Sequence, residues 1–288
     1  MTFNTTNTIR LLTMASLGGL LFAVGLRLNW KLVVHSMKGS RLGWILLINF
    51  LLVPALTLAV TFGLRIPTNI AVGMLLLAAA PFAPVVPIFV RMAKGNMALA
   101  GTLTALFPFF SAFLTPLVCE WSLRPWLGAA SLKFNILTIL IVLLSTITLP
   151  LTAGVVFSHY FPAMGRKLLR PLEIISEATG AVSLTFVTVV EFETILSTGW
   201  KPLLAMVLVS ELSLLVGYNS SGPSIEARRV VALGTSNRNI ALALLIAIQS
   251  FPNTSIVAAV VANGLVLIFL GLLHVGFWRF CTSTGHRA

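Results

Sequence analysis

The chain has 288 residues, of which 58% are hydrophobic and only 9% are charged. A soluble domain carries about 25% charged residues, so the composition excludes an ordinary soluble protein and predicts an all-α polytopic membrane protein. The net charge of +12 does not point to nucleic acid, because the basic residues lie in short loops between apolar segments, where they act as topology signals.

Nine hydrophobic segments follow one another along the chain, and each is predicted to be a transmembrane helix. The first continues directly into a basic loop, so we expect a membrane span rather than a cleavable signal peptide. The third and the eighth segments are interrupted by residues that break helices. The nine segments cover about residues 11–29, 42–63, 67–93, 97–119, 134–157, 171–198, 201–220, 225–250 and 253–280.

Three prolines, Pro81, Pro84 and Pro87, interrupt the third segment. Each proline removes a backbone donor and disrupts a helical hydrogen bond, so this spacing predicts an opened helix with free carbonyl groups. Pro84 and Pro87 are therefore candidate substrate-binding positions, and the apolar neighbour Phe82 favours a substrate with a hydrophobic body. A kinked helix without a binding site is the alternative.

A polar hexapeptide, Gly-Thr-Ser-Asn-Arg-Asn at 234–239, interrupts the eighth segment. A fixed positive charge at membrane depth is costly unless it lines a cavity or lies in the protein interior. Two broken segments in corresponding halves of a polytopic chain indicate the binding site of a transporter. The candidate substrate-binding residues in this segment are Thr235, Ser236, Asn237, Arg238 and Asn239.

Arg238 has three interpretations. It is a fixed cation in place of coupling ions, a ligand for a substrate carboxylate, which its planar guanidinium binds in bidentate fashion, or a structural partner of Glu211. Glu211 lies near the middle of the seventh segment, at a depth similar to that of Arg238. A buried glutamate is also a candidate for proton coupling, although pairing with Arg238 would keep it charged.

Other polar residues favour structural roles. Glu173 and Glu177 are four residues apart on the sixth segment and are expected to form a charge cluster with Arg170. His274 in the last segment is expected to be a hydrogen-bonded structural histidine. The sequence contains no metal-ligand spacing, phosphate-binding loop or catalytic set, so an enzyme is not expected.

The distribution of Lys and Arg predicts the orientation. With the N-terminus outside, 13 of the 19 basic residues fall in inside loops and five in outside loops, and Arg238 is left within the membrane. This asymmetry favours an outside N-terminus and a cytoplasmic C-terminus. The basic inner loops and the absence of a soluble domain suit a bacterial inner membrane, and an organelle membrane is the alternative. The two broken segments are five spans apart, so they run in opposite directions, as an inverted repeat requires. The oligomeric state stays open.

Several short motifs occur in a characteristic order. They are Leu21–Leu26, Ala93–Leu99, Leu103-Thr104, Leu114–Leu117, Leu149–Leu151 and the pair Gly234 and Asn237. Together they resemble the bile acid:sodium symporter family over nearly the whole chain. The resemblance implies nine spans, with an inverted-repeat core that contains two broken crossing helices and a panel domain beside it. It also implies transport of a small organic anion by alternating access.

On this resemblance the chain is one transporter domain over 1–288. The panel comprises the first part of about 11–63 together with 134–198, and the core comprises about 42–119 and 201–280.

The resemblance also indicates where sodium ligands would lie. After Pro81 the family has Gly-Gly-Thr and then Ser-Asn, whereas this chain has apolar residues and prolines at 82–87. On the second crossing helix Ala232 stands in place of a glutamate and Ser236 in place of a glutamine. Asn49 corresponds to a family glutamine, and Thr104 is kept.

The ion-binding candidates are thus Asn49, Thr104 and Glu211. Sodium prefers several hard oxygen ligands, ideally with a carboxylate, and the guanidinium of Arg238 would repel it. We therefore expect weakened or absent sodium coupling, with Na⁺, H⁺ or no coupling ion all open. A non-transporting receptor or sensor of the same fold is the alternative to a transporter.

Overall fold

A computed structural model describes residues 5–28, 41–127, 134–252 and 254–284. Within these ranges all regular elements are helices. They are α1 (Thr5–Arg27), α2 (Leu42–Gly63), α3 (Thr68–Ala78), α4 (Val86–Met92), α5 (Met97–Leu127), α6 (Ile136–Tyr160), α7 (Pro162–Val190), α8 (Phe192–Leu196), α9 (Trp200–Ser220), α10 (Ile225–Ser236), α11 (Ile240–Ser250) and α12 (Ile256–Thr284).

Eight stretches of the described residues are long and apolar enough to cross a membrane, with α10 and α11 together forming one of them. The third predicted segment is divided between α3 and α4, and neither helix is long enough by itself. The all-α polytopic membrane fold is confirmed, while the total of nine spans stays a prediction. Residue 29, at the end of the first predicted segment, and four of the topology-signal residues lie outside the described ranges; these four are Lys31, Lys38, Lys133 and Arg287.

A wide π-helical turn interrupts each of two long helices. It spans Ile48–Leu52 in α2 and Leu144–Thr148 in α6. Pro54 and Pro150 follow these turns by two residues. Because a proline lacks an N–H group and its ring clashes with the carbonyl four residues earlier, the preceding turn widens. In α2 this places Asn49 inside the widened turn.

Small residues allow α1 to pack closely against α6 and α7. A side chain on Gly25 would collide with the Leu151 carbonyl of α6, and one on Gly154 would collide with the Phe22 carbonyl of α1. On the other side, the Ser16 hydroxyl of α1 donates to the Ser176 carbonyl of α7 at 2.8 Å. Close approach at small residues is the usual way in which helices associate in membranes.

The helices α10 and α11 together form the most enclosed of the eight candidate spans, since 89% of the most apolar window of Ile225–Ser250 is buried. They pack against α9, α3 and α12. The polar break between α10 and α11 therefore lies in the protein interior, which is where an interrupted helix can be accommodated. The division of the helices into a panel and a core stays a prediction.

Candidate functional site

The two interruptions meet each other. We call residues 79–85, between α3 and α4, the first break, and residues 237–239, between α10 and α11, the second break. The Ala83 N–H donates to the Asn237 carbonyl at 3.3 Å, and the Asn239 N–H donates to the Ala80 carbonyl at 2.8 Å. The two breaks thus pair in antiparallel fashion, and backbone groups that neither helix can satisfy are satisfied across the crossing.

The first break lies where the prolines predict an opened helix, but the carbonyl groups of Ala79, Ala80 and Ala83 are occupied by protein donors. The Ala79 carbonyl accepts from the Thr115 hydroxyl of α5 at 2.8 Å. Phe82 has a φ of 56°, and its ring lies over Gly234 of α10, where any larger residue would collide with it. The same ring stacks on Phe107 at 4.8 Å. Packing therefore closes the side of the first break that faces α5 and α10.

The second break carries a buried charge. Arg238 is 4% exposed, and its Nη1 donates to the side-chain oxygen of Asn49 at 3.2 Å and to the Asn49 carbonyl at 3.3 Å. The Nε and Nη2 groups of Arg238 have no hydrogen-bond partner among the described residues. The widened turn of α2 leaves the Asn49 carbonyl available, because regular helical hydrogen bonding is disturbed there.

The pairing of Arg238 with Glu211, one of the three interpretations of this arginine, is not what the structure shows. The Glu211 carboxylate lies 3.2 Å from Nε2 of His274 on α12, while Arg238 extends to α2. Equal depth on consecutive spans does not fix the direction in which each side chain points. Nδ1 of His274 lies 2.8 Å from the Leu270 carbonyl, so this histidine is hydrogen-bonded.

Asn49 connects three elements. Its amide group donates to the Ile45 carbonyl of α2 at 2.9 Å and to the Thr235 hydroxyl of α10 at 3.2 Å, while its oxygen accepts from Arg238. Thr104 lies apart from this set, fully buried, and donates to the Ala100 carbonyl of its own helix at 2.7 Å. Two of the three ion-binding candidates, Thr104 and Glu211, therefore make no contact with Arg238.

A cavity of about 310 Å³, here called the large cavity, lies between the two breaks and the helices α1 and α7. Pro84, Asn237, Arg238 and Asn239 line it, whereas Pro87, Thr235 and Ser236 do not. The Asn239 side chain also caps α11 by accepting from the Leu242 N–H at 3.1 Å. The rest of the wall is mainly apolar, with Leu17, Leu20, Phe89, Ile240 and Leu244 among its residues.

Glu177 also lines the large cavity. The expected cluster forms around Glu173, which lies 3.1 Å from Arg27 and 3.8 Å from Arg170. Glu177 takes part in no ion pair within the described ranges. The four-residue spacing predicts that Glu173 and Glu177 share one face of α7. It does not predict that Glu173 pairs with arginines while Glu177 lines the large cavity.

A second and much smaller space, of about 10 Å³, lies beside Arg238 and is here called the small cavity. Its polar lining consists of Ser210, Ser213, Ser236, Arg238 and Asn263. Ser210, Ser213 and Asn263 were not identified from the sequence. The available signal was the presence of isolated polar residues within apolar spans, which in membranes usually face the protein interior.

The chain matches a protein family and several known proteins in sequence. Residues 14–196 match the model of the Sodium Bile acid symporter family. The chain is 24% identical over 236 residues to the probable sodium/metabolite cotransporter BASS1, chloroplastic, of Arabidopsis thaliana, a match that covers 81% of this chain and 58% of that protein. It is 22% identical over 251 residues to the uncharacterized sodium-dependent transporter YocS of Bacillus subtilis, covering 85% and 76%. The chain thus spans little more than half the length of the plant relative.

Proposed function

This chain belongs to the Sodium Bile acid symporter family, and we propose that it is a secondary transporter of a small organic anion in which Arg238 takes the place of a coupling cation. The observation that carries the proposal is the buried guanidinium held by Asn49 at the crossing of two broken helices. The relatives are described as transporters or cotransporters, which favours transport over a receptor of the same fold.

The contact between Arg238 and Asn49 argues against a sodium ion at this position. By resemblance Asn49 corresponds to a glutamine among the family's candidate ion ligands, and its side-chain oxygen is occupied by Nη1 of Arg238 at 3.2 Å. Two unit charges ~4 Å apart repel each other by about 4 kcal/mol at an effective dielectric constant near 20. The fixed positive charge therefore supplies the positive potential that a bound cation would supply, but not the driving force of an ion gradient.

The large cavity supports an organic anion with an apolar body. Its volume of about 310 Å³ suits a small organic molecule, and most of its wall is apolar. Asn237 and Asn239 offer polar contacts at the second break, and the charge of Arg238 lies behind them. We infer that the core moves against α1, α6 and α7 by alternating access, in a bacterial inner membrane with the N-terminus outside.

The test is uptake into proteoliposomes, using radiolabelled bile acid, alkyl sulfonate, pantothenate and keto acid, with no gradient, a Na⁺ gradient or a pH gradient. The variant is Arg238→Gln. Arg229→Gln is the matched control, because Arg229 is also a buried arginine of the same span, but it donates to the Ala93 carbonyl at 2.8 Å and lies over the Trp278 ring instead of lining the cavity.

We expect at least one anion to enter without a Na⁺ gradient, about 100-fold more slowly in Arg238→Gln and at a nearly unchanged rate in Arg229→Gln. Strict Na⁺ dependence that survives Arg238→Gln would show that Arg238 is structural. A folded protein that moves none of these anions would overturn the proposed substrate class.

A further inference from the structure

We propose that the small cavity beside Arg238 binds a single halide ion, which is chloride under ordinary conditions. The proposal concerns the substrate-free protein, because a bound halide offsets the charge that the proposed function assigns to Arg238. It rests on a buried arginine without a counter-charge, on the two unpartnered donors of that arginine, and on an atom-sized polar space at the same place.

The charge of Arg238 is uncompensated within the protein. All seven acidic residues of the sequence lie in the described ranges, and none forms an ion pair with Arg238. Glu211, the acid expected to be its partner, is engaged with His274. An arginine stays protonated in proteins, and a buried charge without a partner is strongly destabilising. A bound anion removes this imbalance, whereas a water molecule does not.

Arg238 lines both cavities, and we infer from its contacts that its guanidinium end faces the small one. Its Nη1 atom contacts Asn49 of α2, and the small cavity includes Val53, one turn further along α2. No residue of α2 lines the large cavity. The unpartnered Nε and Nη2 groups form one edge of the planar guanidinium, so their N–H bonds are parallel and can hold one acceptor between them.

The remaining lining fits a small anion. The volume of about 10 Å³ is close to that of one water-sized sphere, so the space suits a monatomic ion better than a carboxylate or sulfate. Ser210 brings a hydroxyl group, while Ser213 and Ser236 already donate to the carbonyls of Val209 and Leu233 at 2.6 and 3.4 Å. The side-chain oxygen of Asn263 has no partner. The oxygen and nitrogen of an asparagine side chain are distinguished by their hydrogen bonds, and exchanging the two here directs the NH₂ group of Asn263 at the ion.

The first measurement is thermal unfolding of the purified, detergent-solubilised protein at constant ionic strength, with sodium gluconate replaced stepwise by sodium chloride, sodium bromide or sodium sulfate. Binding to the folded state raises the unfolding midpoint with ligand concentration. We expect chloride and bromide to raise it, sulfate to leave it unchanged, Arg238→Gln to lose the response and Arg229→Gln to keep it.

The second measurement is anomalous diffraction from crystals grown in sodium bromide, in which we expect a bromide peak beside Nε and Nη2 of Arg238. Ser210→Val keeps the charge but removes a hydroxyl and fills space, so it should weaken bromide binding at least tenfold; it carries the test if Arg238→Gln does not fold. Equal midpoints in chloride and gluconate, or no bromide peak, would overturn the halide proposal. Both measurements are made without substrate, so their failure leaves the transport proposal standing.

Discussion

Both breaks interrupt a helix, but they differ in whether the polar groups of the break have hydrogen-bond partners within the protein. In the first break the freed carbonyls of Ala79 and Ala80 are both occupied, and the Phe82 ring fills the remaining space over Gly234. In the second break Arg238 brings a charge and leaves two of its three nitrogen groups without partners. Interrupting a helix therefore does not by itself make a ligand site, because what counts is whether protein groups already satisfy the exposed donors and acceptors.

The comparison predicts that changes in the packing around the first break act on stability, while changes facing the large cavity act on transport, with Asn239 able to act on both because it also caps α11. Four substitutions test this division, and they follow in order of decreasing effect.

Gly234→Ala should have the largest effect on stability, because the added methyl group would overlap the Phe82 ring. Overpacking of this kind costs about 3 kcal/mol, which would lower the unfolding midpoint by roughly 6 °C in a chain of this size. The measurement is thermal unfolding in detergent. Gly101→Ala is the control, since nothing lies within 4 Å of its added methyl group. Equal midpoints for the two variants would contradict the packing described for the first break.

Thr115→Val should leave the buried Ala79 carbonyl without its side-chain donor. An unsatisfied buried acceptor costs about 2 kcal/mol. Thr104→Val is the matched control, because Thr104 is equally buried but donates to a carbonyl of its own helix at 2.7 Å, and we expect less than about 1 kcal/mol there. The same pair, assayed for uptake with and without Na⁺, tests the ion-binding prediction for Thr104. That prediction fails if Na⁺ dependence is identical in the wild type and Thr104→Val.

Asn239→Ala should remove the N-terminal cap of α11, which the side chain provides by accepting from the Leu242 N–H. The loss of such a cap costs about 1 kcal/mol, and Asn239→Ser should restore most of it. Unfolding midpoints measure the cap, and uptake by the serine variant measures any separate contact with substrate. If alanine and serine are equally stable, the capping interpretation is incorrect.

Glu177→Gln should have the smallest effect and act on transport alone. Glu177 is a partly buried carboxylate on the wall of the large cavity, so it repels an anionic substrate there. A partly screened repulsion of about 0.7 kcal/mol corresponds to a KM about threefold lower in the glutamine variant. Glu173→Gln is the control on the same helix, since Glu173 pairs with Arg27 and does not line the cavity. A higher KM in Glu177→Gln would instead indicate that the carboxylate accepts a hydrogen bond from the substrate.

The positions of both breaks were predictable, because prolines and a Gly-Thr-Ser-Asn-Arg-Asn run are incompatible with an uninterrupted apolar helix. The partner of Arg238 was not. Arg238 lies in a non-helical segment, so the helical periodicity that orients neighbouring side chains does not apply to it. Its contact with Asn49 also depends on the widened turn before Pro54, which has no counterpart in hydrophobic patterning.

The small cavity shows a second limit of sequence interpretation. Ser210 and Asn263 are single polar residues in long apolar helices, and each taken alone predicts only a helix face that points inward. Their approach to Arg238 depends on the packing of α9 and α12 around the crossing, which involves residues far apart in the chain. Glu177 was misassigned for a related reason, since the boundary between a salt-bridge cluster and a cavity depends on which neighbouring helix covers each turn.

The antiparallel pairing of the two breaks through main-chain groups has a consequence for how such a protein can evolve. Every residue except proline carries the same N–H and C=O groups, so the hydrogen bonds between Ala83 and Asn237 and between Asn239 and Ala80 are indifferent to the side chains present. Substitutions in this region can exchange one ligand chemistry for another while the crossing keeps its shape. A lineage can thus acquire an arginine at position 238 and lose ion-binding side chains nearby without first rebuilding its scaffold.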